Sequence, residues 1–225
     1  MKRQATTIVV MLALLGAHGA QAAAAWVEGK HYVAVVPLGG QPLPAGQKEV
    51  VEVFSYGCPA CAQFNPIARQ LQQTLPKGVR FTYIPASFNP PEDWPMFQRA
   101  FFAAQQLGIA EKTHDAMFDA VWKGGELAIM DPASGRLKDP LPTIETAARF
   151  YSRQTGVKVA DFVAVANSFT IEMKMKDADA FVHSYQVLLT PTIVVNRKYR
   201  TDARSAGGYP QLIELVTWLV AKDGG

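Results

Sequence analysis

Apolar residues along the chain follow two different spacings, and the order in which these alternate predicts the fold. Short β-branched runs predict strands at 32–36, 48–56, 79–84, 192–196 and 198–200. Apolar residues three and four positions apart predict helices at 58–75, 96–107, 111–122, 143–155, 159–168, 169–185 and 209–221. Stretches 39–47 and 124–142 are rich in turn residues, which predicts loops.

The first helix is joined to its two flanking strands by short connections, which predicts a βαβ unit with parallel strands. Residues 95–185 then remain helical throughout, far longer than one crossover helix requires. We therefore predict an α/β protein in which an all-helical domain at 95–185 is inserted into a sheet-containing domain formed by 23–94 and 186–225.

The N-terminus has the pattern of a secretory signal peptide. Lys2 and Arg3 precede an apolar core at 8–15, and an Ala-Gln-Ala site ends at Ala22. An uncleaved membrane anchor is the alternative, but the apolar run is too short to span a bilayer. No cysteine follows that run, which excludes a lipoprotein anchor. The sequence predicts a signal peptide at 1–22, cut after Ala22, and export to an oxidising compartment.

Charge and size narrow the functional classes. The whole chain has a net charge of +3, and removal of Lys2 and Arg3 lowers it to about +1. A nearly neutral mature chain gives no basis for binding nucleic acid or an anionic membrane. About 200 remaining residues can bury a sufficient core without covalent cross-links, so the two cysteines are not required for stability.

Those two cysteines, Cys58 and Cys61, lie where the second predicted strand meets the first helix. Backbone N–H groups and the helix dipole at a helix start favour a negative charge, so Cys58 should have a lowered pKa. Cys61 lies about one turn further on and should be less accessible. A bridge across two residues closes too short a loop to stabilise a fold much. The pair therefore predicts redox chemistry, in which one sulfur is attacked and the other leaves.

A zinc half-site and an inert bridge are the alternatives for the cysteine pair. Structural zinc needs four ligands, usually from a second pair at similar spacing. His31, His114 and His183 are the histidines of the mature chain, and no two are close in sequence. We predict no metal and no cofactor.

The Cys-Pro-x-Cys motif, with Tyr56 and Gly57 just before it, resembles that of the DsbA-like thiol:disulfide oxidoreductases of the thioredoxin superfamily. The resemblance implies a thioredoxin-like fold with an inserted helical domain and a periplasmic location. It also implies donation of disulfides to newly exported, unfolded polypeptides with free thiols, and reoxidation by a membrane protein of the DsbB type. No surplus cysteine or coiled coil suggests assembly, so we expect a monomer.

The same resemblance implies roles for residues outside the motif. Glu52 occupies the position of a buried acid that assists proton transfer at Cys61; the alternative is a solvated acid at a strand edge. Relatives often pair this acid with a lysine on the next strand, but 79–84 contains none, which leaves its proton route open. Thr190 and Pro191 match the superfamily's cis-proline turn, where the Thr190 backbone would bind substrate. The alternative is a trans proline that starts a strand.

Pro59 and Ala60 are expected to tune the redox potential. Pro59 has no N–H, whereas Ala60 and Cys61 can offer theirs to the Cys58 sulfur. Many DsbA-like proteins have histidine where Ala60 stands, so we expect a less oxidising disulfide than theirs.

Three other functions remain open from the sequence. A periplasmic isomerase or reductase is disfavoured because only about 25 mature residues precede the central strand, too few for a dimerisation domain. A copper- or haem-assembly protein would use the cysteines as soft ligands. A binding module that has lost redox activity is opposed by the intact cysteine pair.

Overall fold

The structure, a computed structural model, describes residues 26–36 and 43–222. The predicted signal peptide at 1–22, its cut after Ala22 and part of the loop at 39–47 lie outside these residues. The strands are β1 (Val33–Ala34), β2 (Lys48–Phe54), β3 (Val79–Pro85), β4 (Thr192–Val195) and β5 (Tyr199–Thr201). The helices are α1 (Pro59–Thr74), α2 (Trp94–Gln106), α3 (Ala110–Trp122), α4 (Ile144–Thr155), α5 (Val159–Ala166), α6 (Phe169–Ser184), α7 (Ala203–Ala206) and α8 (Tyr209–Lys222).

The five strands form one mixed sheet in the order β1-β5-β4-β2-β3. β2 and β3 are parallel, as the βαβ pattern predicts, while β4 pairs antiparallel with both β2 and β5. β2 is flanked on both sides and all but its first residue are buried, whereas β3 is at the sheet edge. A tight turn with positive φ at Asn196 (51°) and Arg197 (53°) joins β4 to β5, which suits the twist of a hairpin.

Helices cover the sheet in two groups. α1 and α8 bury their apolar stripes against one face, where Val50, Phe64, Leu71 and Leu215 share a core. α2 to α6 follow one another between β3 and β4.

Among the described residues no helix combines the length and apolar character needed to cross a membrane.

The sheet and the helical segment share a second core. Phe54, the last residue of β2, has no exposed surface. It makes edge-to-face contacts with Tyr83 of β3, Phe101 of α2 and His114 of α3 at centroid distances of 5.6, 5.3 and 5.1 Å. The packing therefore joins the 95–185 segment to the sheet, and its division into a separate domain stays a prediction.

An ion cluster fixes the end of β2 that lies away from the cysteines. The buried Glu49 carboxylate accepts from Arg80 of β3 at 2.6 Å and from Arg197 of the β4–β5 turn at 3.0 Å. A buried carboxylate requires such partners. The cluster ties three strands together, so we assign it a structural role.

Short elements are where the structure departs from the sequence prediction. The strand predicted at 32–36 is only Val33–Ala34, because its partner β5 has only three residues. The turn of helix at Ala203–Ala206 was not predicted; Asp202 caps it by accepting from the Ser205 N–H. A 3₁₀ turn at Pro90–Glu92 was also not predicted. Segments this short carry too few apolar residues to show a period.

Candidate active site

The end of β2 leads into a tight turn that delivers Cys58 to the start of α1. The Cys58 N–H donates to the Ser55 carbonyl at 3.1 Å, and the Gly57 N–H donates to the Ser55 hydroxyl at 3.1 Å. Cys58 is the N-cap residue of α1, and Pro59 occupies the first turn, where its missing N–H costs nothing. Pro59 and Ala60 are exposed beside Cys58.

Two tryptophans, the first residue of α2 and the last residue of α3, hold this turn in place. The Trp122 indole N–H donates to the Tyr56 carbonyl at 2.8 Å. Trp94 lies against Gly57, where a Cβ would come within 2.7 Å of its indole ring. Sequence reasoning missed both residues, because no local pattern shows which tryptophan reaches the turn.

The two thiols occupy different surroundings. Cys58 retains 6% of its surface exposed, whereas Cys61 is completely buried. The Cys58 thiol donates to the Thr190 carbonyl at 3.5 Å. Any substrate must therefore approach the Cys58 sulfur first.

The same surroundings shift the two pKa values in opposite directions. The pKa of Cys58 is lowered to about 6, chiefly by the hydrogen bond with the Cys61 thiol; burial opposes this, and Thr190 and the N–H groups of Cys61 and Ala60 assist. The pKa of Cys61 is raised, first by burial and then by Cys58. The helix start predicted from the sequence thus contributes, but the neighbouring thiol contributes more.

Glu52 lies inside the protein below this pair, with 2% of its surface exposed. Burial, followed by the charge of Cys58, raises the pKa of Glu52 to about 8. Its Oε2 atom has no hydrogen-bond partner among the residues that the structure describes. The solvated alternative is thus wrong, and Glu52 holds a proton at neutral pH. Its register partner on β3 is Tyr83.

Thr190 and Pro191 precede β4, and the peptide bond between them is cis. Thr190 is buried, and its hydroxyl has no hydrogen-bond partner within the described ranges. Leu188 and Leu189, which lead into this turn, have 85% and 49% of their surfaces exposed. The fold therefore brings a turn from the far end of the chain against Cys58.

The sequence-predicted residues thus converge on one site. Cys58 and Cys61 begin α1, Glu52 lies beneath them, and Thr190 contacts Cys58. Within 26–36 and 43–222, no group of three or more His, Cys, Asp or Glu side chains is placed to hold a metal ion.

Fold and site together define the class of thioredoxin-fold proteins with a dithiol at a helix start. A family model described as thioredoxin matches residues 43–214. The thiol:disulfide interchange protein DsbA of Pseudomonas syringae pv. tomato is 33% identical over 220 residues, covering 96% of this chain and 95% of the relative. DsbA of Pseudomonas aeruginosa has the same identity and coverage.

Solved structures show the same likeness. A crystal structure of a Pseudomonas aeruginosa DsbA variant matches with a TM-score of 0.75 at 33% identity, covering 88% of this chain and 98% of that one. The oxidoreductase DsbA from Xylella fastidiosa matches with a TM-score of 0.74 at 33% identity, covering 88% and 97%. The chain belongs to the DsbA family of thiol:disulfide oxidoreductases, and the predicted thioredoxin-like fold is confirmed.

Proposed function

We propose that this protein is a dithiol oxidase that donates the Cys58–Cys61 disulfide to other proteins. The observation that carries the proposal is that the site lowers the pKa of Cys58 and raises the pKa of the fully buried Cys61. A stabilised Cys58 thiolate lowers the free energy of the reduced form, and a pair whose reduced form is stabilised is a strong oxidant. The buried Cys61 can be reached only from inside the site.

The reaction proceeds by two thiol–disulfide exchanges. A substrate thiolate attacks the Cys58 sulfur, the Cys58–Cys61 bond breaks, and Cys61 leaves as a thiolate that takes a proton from Glu52. A second substrate thiolate then attacks the substrate sulfur of the mixed disulfide, and Cys58 leaves as a thiolate. The substrate is oxidised by two electrons and the cysteine pair is reduced by two.

The turn at Thr190 and Pro191 is proposed to hold the substrate. An extended chain that binds beside Cys58 can accept or donate main-chain hydrogen bonds as an added strand does. The Thr190 carbonyl, which accepts from the Cys58 thiol in the reduced protein, becomes available when that thiol is replaced by a disulfide.

The proposed setting is the periplasm, after removal of the signal peptide at 1–22. The proposed substrates are unfolded exported polypeptides with free thiols, and the proposed reoxidant is a membrane protein of the DsbB type. Both follow from the names of the relatives, each a thiol:disulfide interchange protein, and from the resemblance of the motif. We propose that the protein acts as a monomer.

The direct test is oxidation of a reduced, unfolded ribonuclease by the oxidised protein under anaerobic conditions. We expect one substrate disulfide for each protein molecule, and an equilibrium with glutathione that favours the reduced protein. A pair that remains oxidised against glutathione would turn the assignment to a reductase. Efficient reactivation of scrambled ribonuclease by this protein alone would favour an isomerase, and stoichiometric copper retention that blocks thiol oxidation would favour a metal-assembly role.

Ala60→His should make the disulfide more oxidising. Ala60 is exposed and its N–H already faces the Cys58 sulfur, so an imidazolium there would add a cation beside the thiolate. A further lowering of the Cys58 pKa by about one unit corresponds to ~1.4 kcal/mol, or about 30 mV for this two-electron couple. The glutathione equilibrium measures it.

Ala60→Phe is the matched control, because it adds a ring of similar shape without a charge. The histidine effect should also fade as pH rises through ~7.5, because the coupling that lowers the Cys58 pKa by about one unit raises the imidazole pKa from ~6.5 by the same amount. An unchanged or lower potential in Ala60→His would refute the tuning role of this position.

A further inference from the structure

Each turnover requires a proton to enter and another to leave a region that is closed to solvent, if the proposed oxidase function holds. Cys61 gains a proton when it leaves the disulfide and must lose it before the pair is oxidised again. Neither Cys61 nor Glu52 is more than 2% exposed. The lysine that relatives often place beside the acid is absent from β3, where Tyr83 is the register partner of Glu52.

A cavity of about 500 Å³ lies between α1, β3 and α3, on the side of Tyr83. Since a water molecule in bulk occupies about 30 Å³, there is room for several. Its lining includes the exposed side chains of Arg69, Gln72 and Glu111, the half-buried Tyr83 and the buried His114. The cavity therefore brings solvent toward the sheet next to the active site.

Tyr83 is the residue that links this cavity to Glu52. Side chains in register on neighbouring parallel strands point to the same face of a sheet, so Glu52 and Tyr83 are lateral neighbours. Tyr83 also lines the cavity, where its hydroxyl accepts from the Gln72 amide at 3.3 Å. One side chain thus borders both the buried acid and the solvent-accessible space.

His114 fixes this tyrosine and is not itself the proton carrier. Its ring packs against the Tyr83 ring at a centroid distance of 4.4 Å. Its Nδ1 lies 2.8 Å from the Tyr56 hydroxyl, with which it shares a hydrogen bond. Burial, followed by Arg69, lowers the pKa of His114 to about 3, so the ring stays neutral throughout the working range.

The ionisable groups around Glu52 of β2 and Tyr83 of β3 come from the active-site turn, α1 and α3. They are Tyr56 and Cys58 of the turn, Cys61 and Arg69 of α1, and Glu111, His114 and Asp115 of α3. Arg69 and Asp115 form an ion pair with each other. Burial, followed by Glu52, raises the pKa of Tyr83 above its ordinary range, so its hydroxyl keeps its proton at pH 9.

We propose that the cavity between α1, β3 and α3 is the proton inlet of the active site, and that the Tyr83 hydroxyl positions the water through which Glu52 exchanges its proton. Tyr83, which is neutral, thus stands beside Glu52 where relatives often have a charged lysine. It acts through Glu52 and does not touch the reacting sulfurs, so it is a positioning residue.

The test is the pH dependence of reduction of the oxidised protein by excess dithiothreitol, followed by stopped flow. At pH 6.5 Glu52 already holds the proton that Cys61 needs, whereas at pH 9 the proton must arrive during the step. Tyr83→Phe should therefore react at the parent rate at pH 6.5 and about tenfold slower at pH 9. In a Glu52→Gln background Tyr83→Phe should have no further effect.

Tyr32→Phe is the matched control, because it removes a hydroxyl that bonds the Lys222 amine far from the site, and it should leave both rates unchanged. Gln72→Leu is a second variant if Tyr83→Phe does not fold. Gln72 is exposed, so its substitution should be tolerated, and it removes the hydrogen bond that holds the Tyr83 hydroxyl. This variant should slow only the reaction at pH 9. The proposed proton inlet would be wrong if the parent and Tyr83→Phe reacted at equal rates at pH 9, or if Tyr83→Phe were slowed equally at both pH values. Additive effects of Tyr83→Phe and Glu52→Gln would also contradict it. A parent protein that dithiothreitol cannot reduce would instead overturn the oxidase function.

Discussion

Cys58→Ser should abolish disulfide transfer, lowering the rate on the order of 10³-fold or more, because the oxygen cannot replace the sulfur that accepts the substrate. The fold should remain, since the serine hydroxyl can still donate to the Thr190 carbonyl that the thiol contacts. Oxidation of reduced ribonuclease gives the activity, and thermal unfolding gives the stability. Residual transfer within tenfold of the parent would contradict the assignment of Cys58.

The two single-cysteine proteins should also differ in alkylation. Cys61→Ser leaves Cys58 partly exposed with a hydroxyl donor beside it, so iodoacetamide should modify it rapidly at pH 7. Cys58→Ser leaves only Cys61, which is fully buried and whose pKa is raised by burial. That thiol should react only after unfolding. Equal alkylation of the two native proteins would show that the thiols are not in the different surroundings described above.

Phe54→Ala should produce the largest loss of stability, about 3 to 5 kcal/mol in the free energy of unfolding. Phe54 is completely buried, and its ring contacts residues from β3, α2 and α3 at once. Its removal would leave a cavity where the sheet, the helical segment and the active-site turn meet. Urea unfolding of the reduced protein measures the loss.

Phe169→Ala is the matched control, because the same substitution occurs at a residue with 76% of its surface exposed. It should change the free energy of unfolding by no more than about 0.5 kcal/mol. A loss below about 1 kcal/mol in Phe54→Ala would mean that this cluster does not join the sheet to the helices.

Much of the site could be predicted because its central residues are close in sequence. Cys58 and Cys61 are separated by two residues, and the change from strand to helix spacing places them at a helix start. The burial of Glu52, which the family resemblance implied, agrees with its 2% exposed surface. The role of Thr190 could be predicted only from the family resemblance, because Thr190 lies 132 residues from Cys58 along the chain.

The remaining parts of the site depend on packing between distant elements. Trp94 begins α2 and Trp122 ends α3, and nothing in their local sequence tells which part of the active-site turn they reach. The cavity beside Tyr83 forms where α1, α2 and α3 meet an edge strand, and these elements are distant in sequence. The cause of the Cys58 pKa shift is similar: the helix start was visible in the sequence, but the larger contribution of the Cys61 thiol required the geometry.

Absorbance of the thiolate during a pH titration of the reduced protein is the most direct test of this account, with the oxidised protein as the blank that cancels tyrosine absorbance. The pKa of Cys58 should lie near 6, and the signal of one thiolate should be complete by about pH 8, while Cys61 stays protonated. A first ionisation near 8.5, the value of an ordinary free thiol, would contradict the claim that this fold stabilises the anion at position 58.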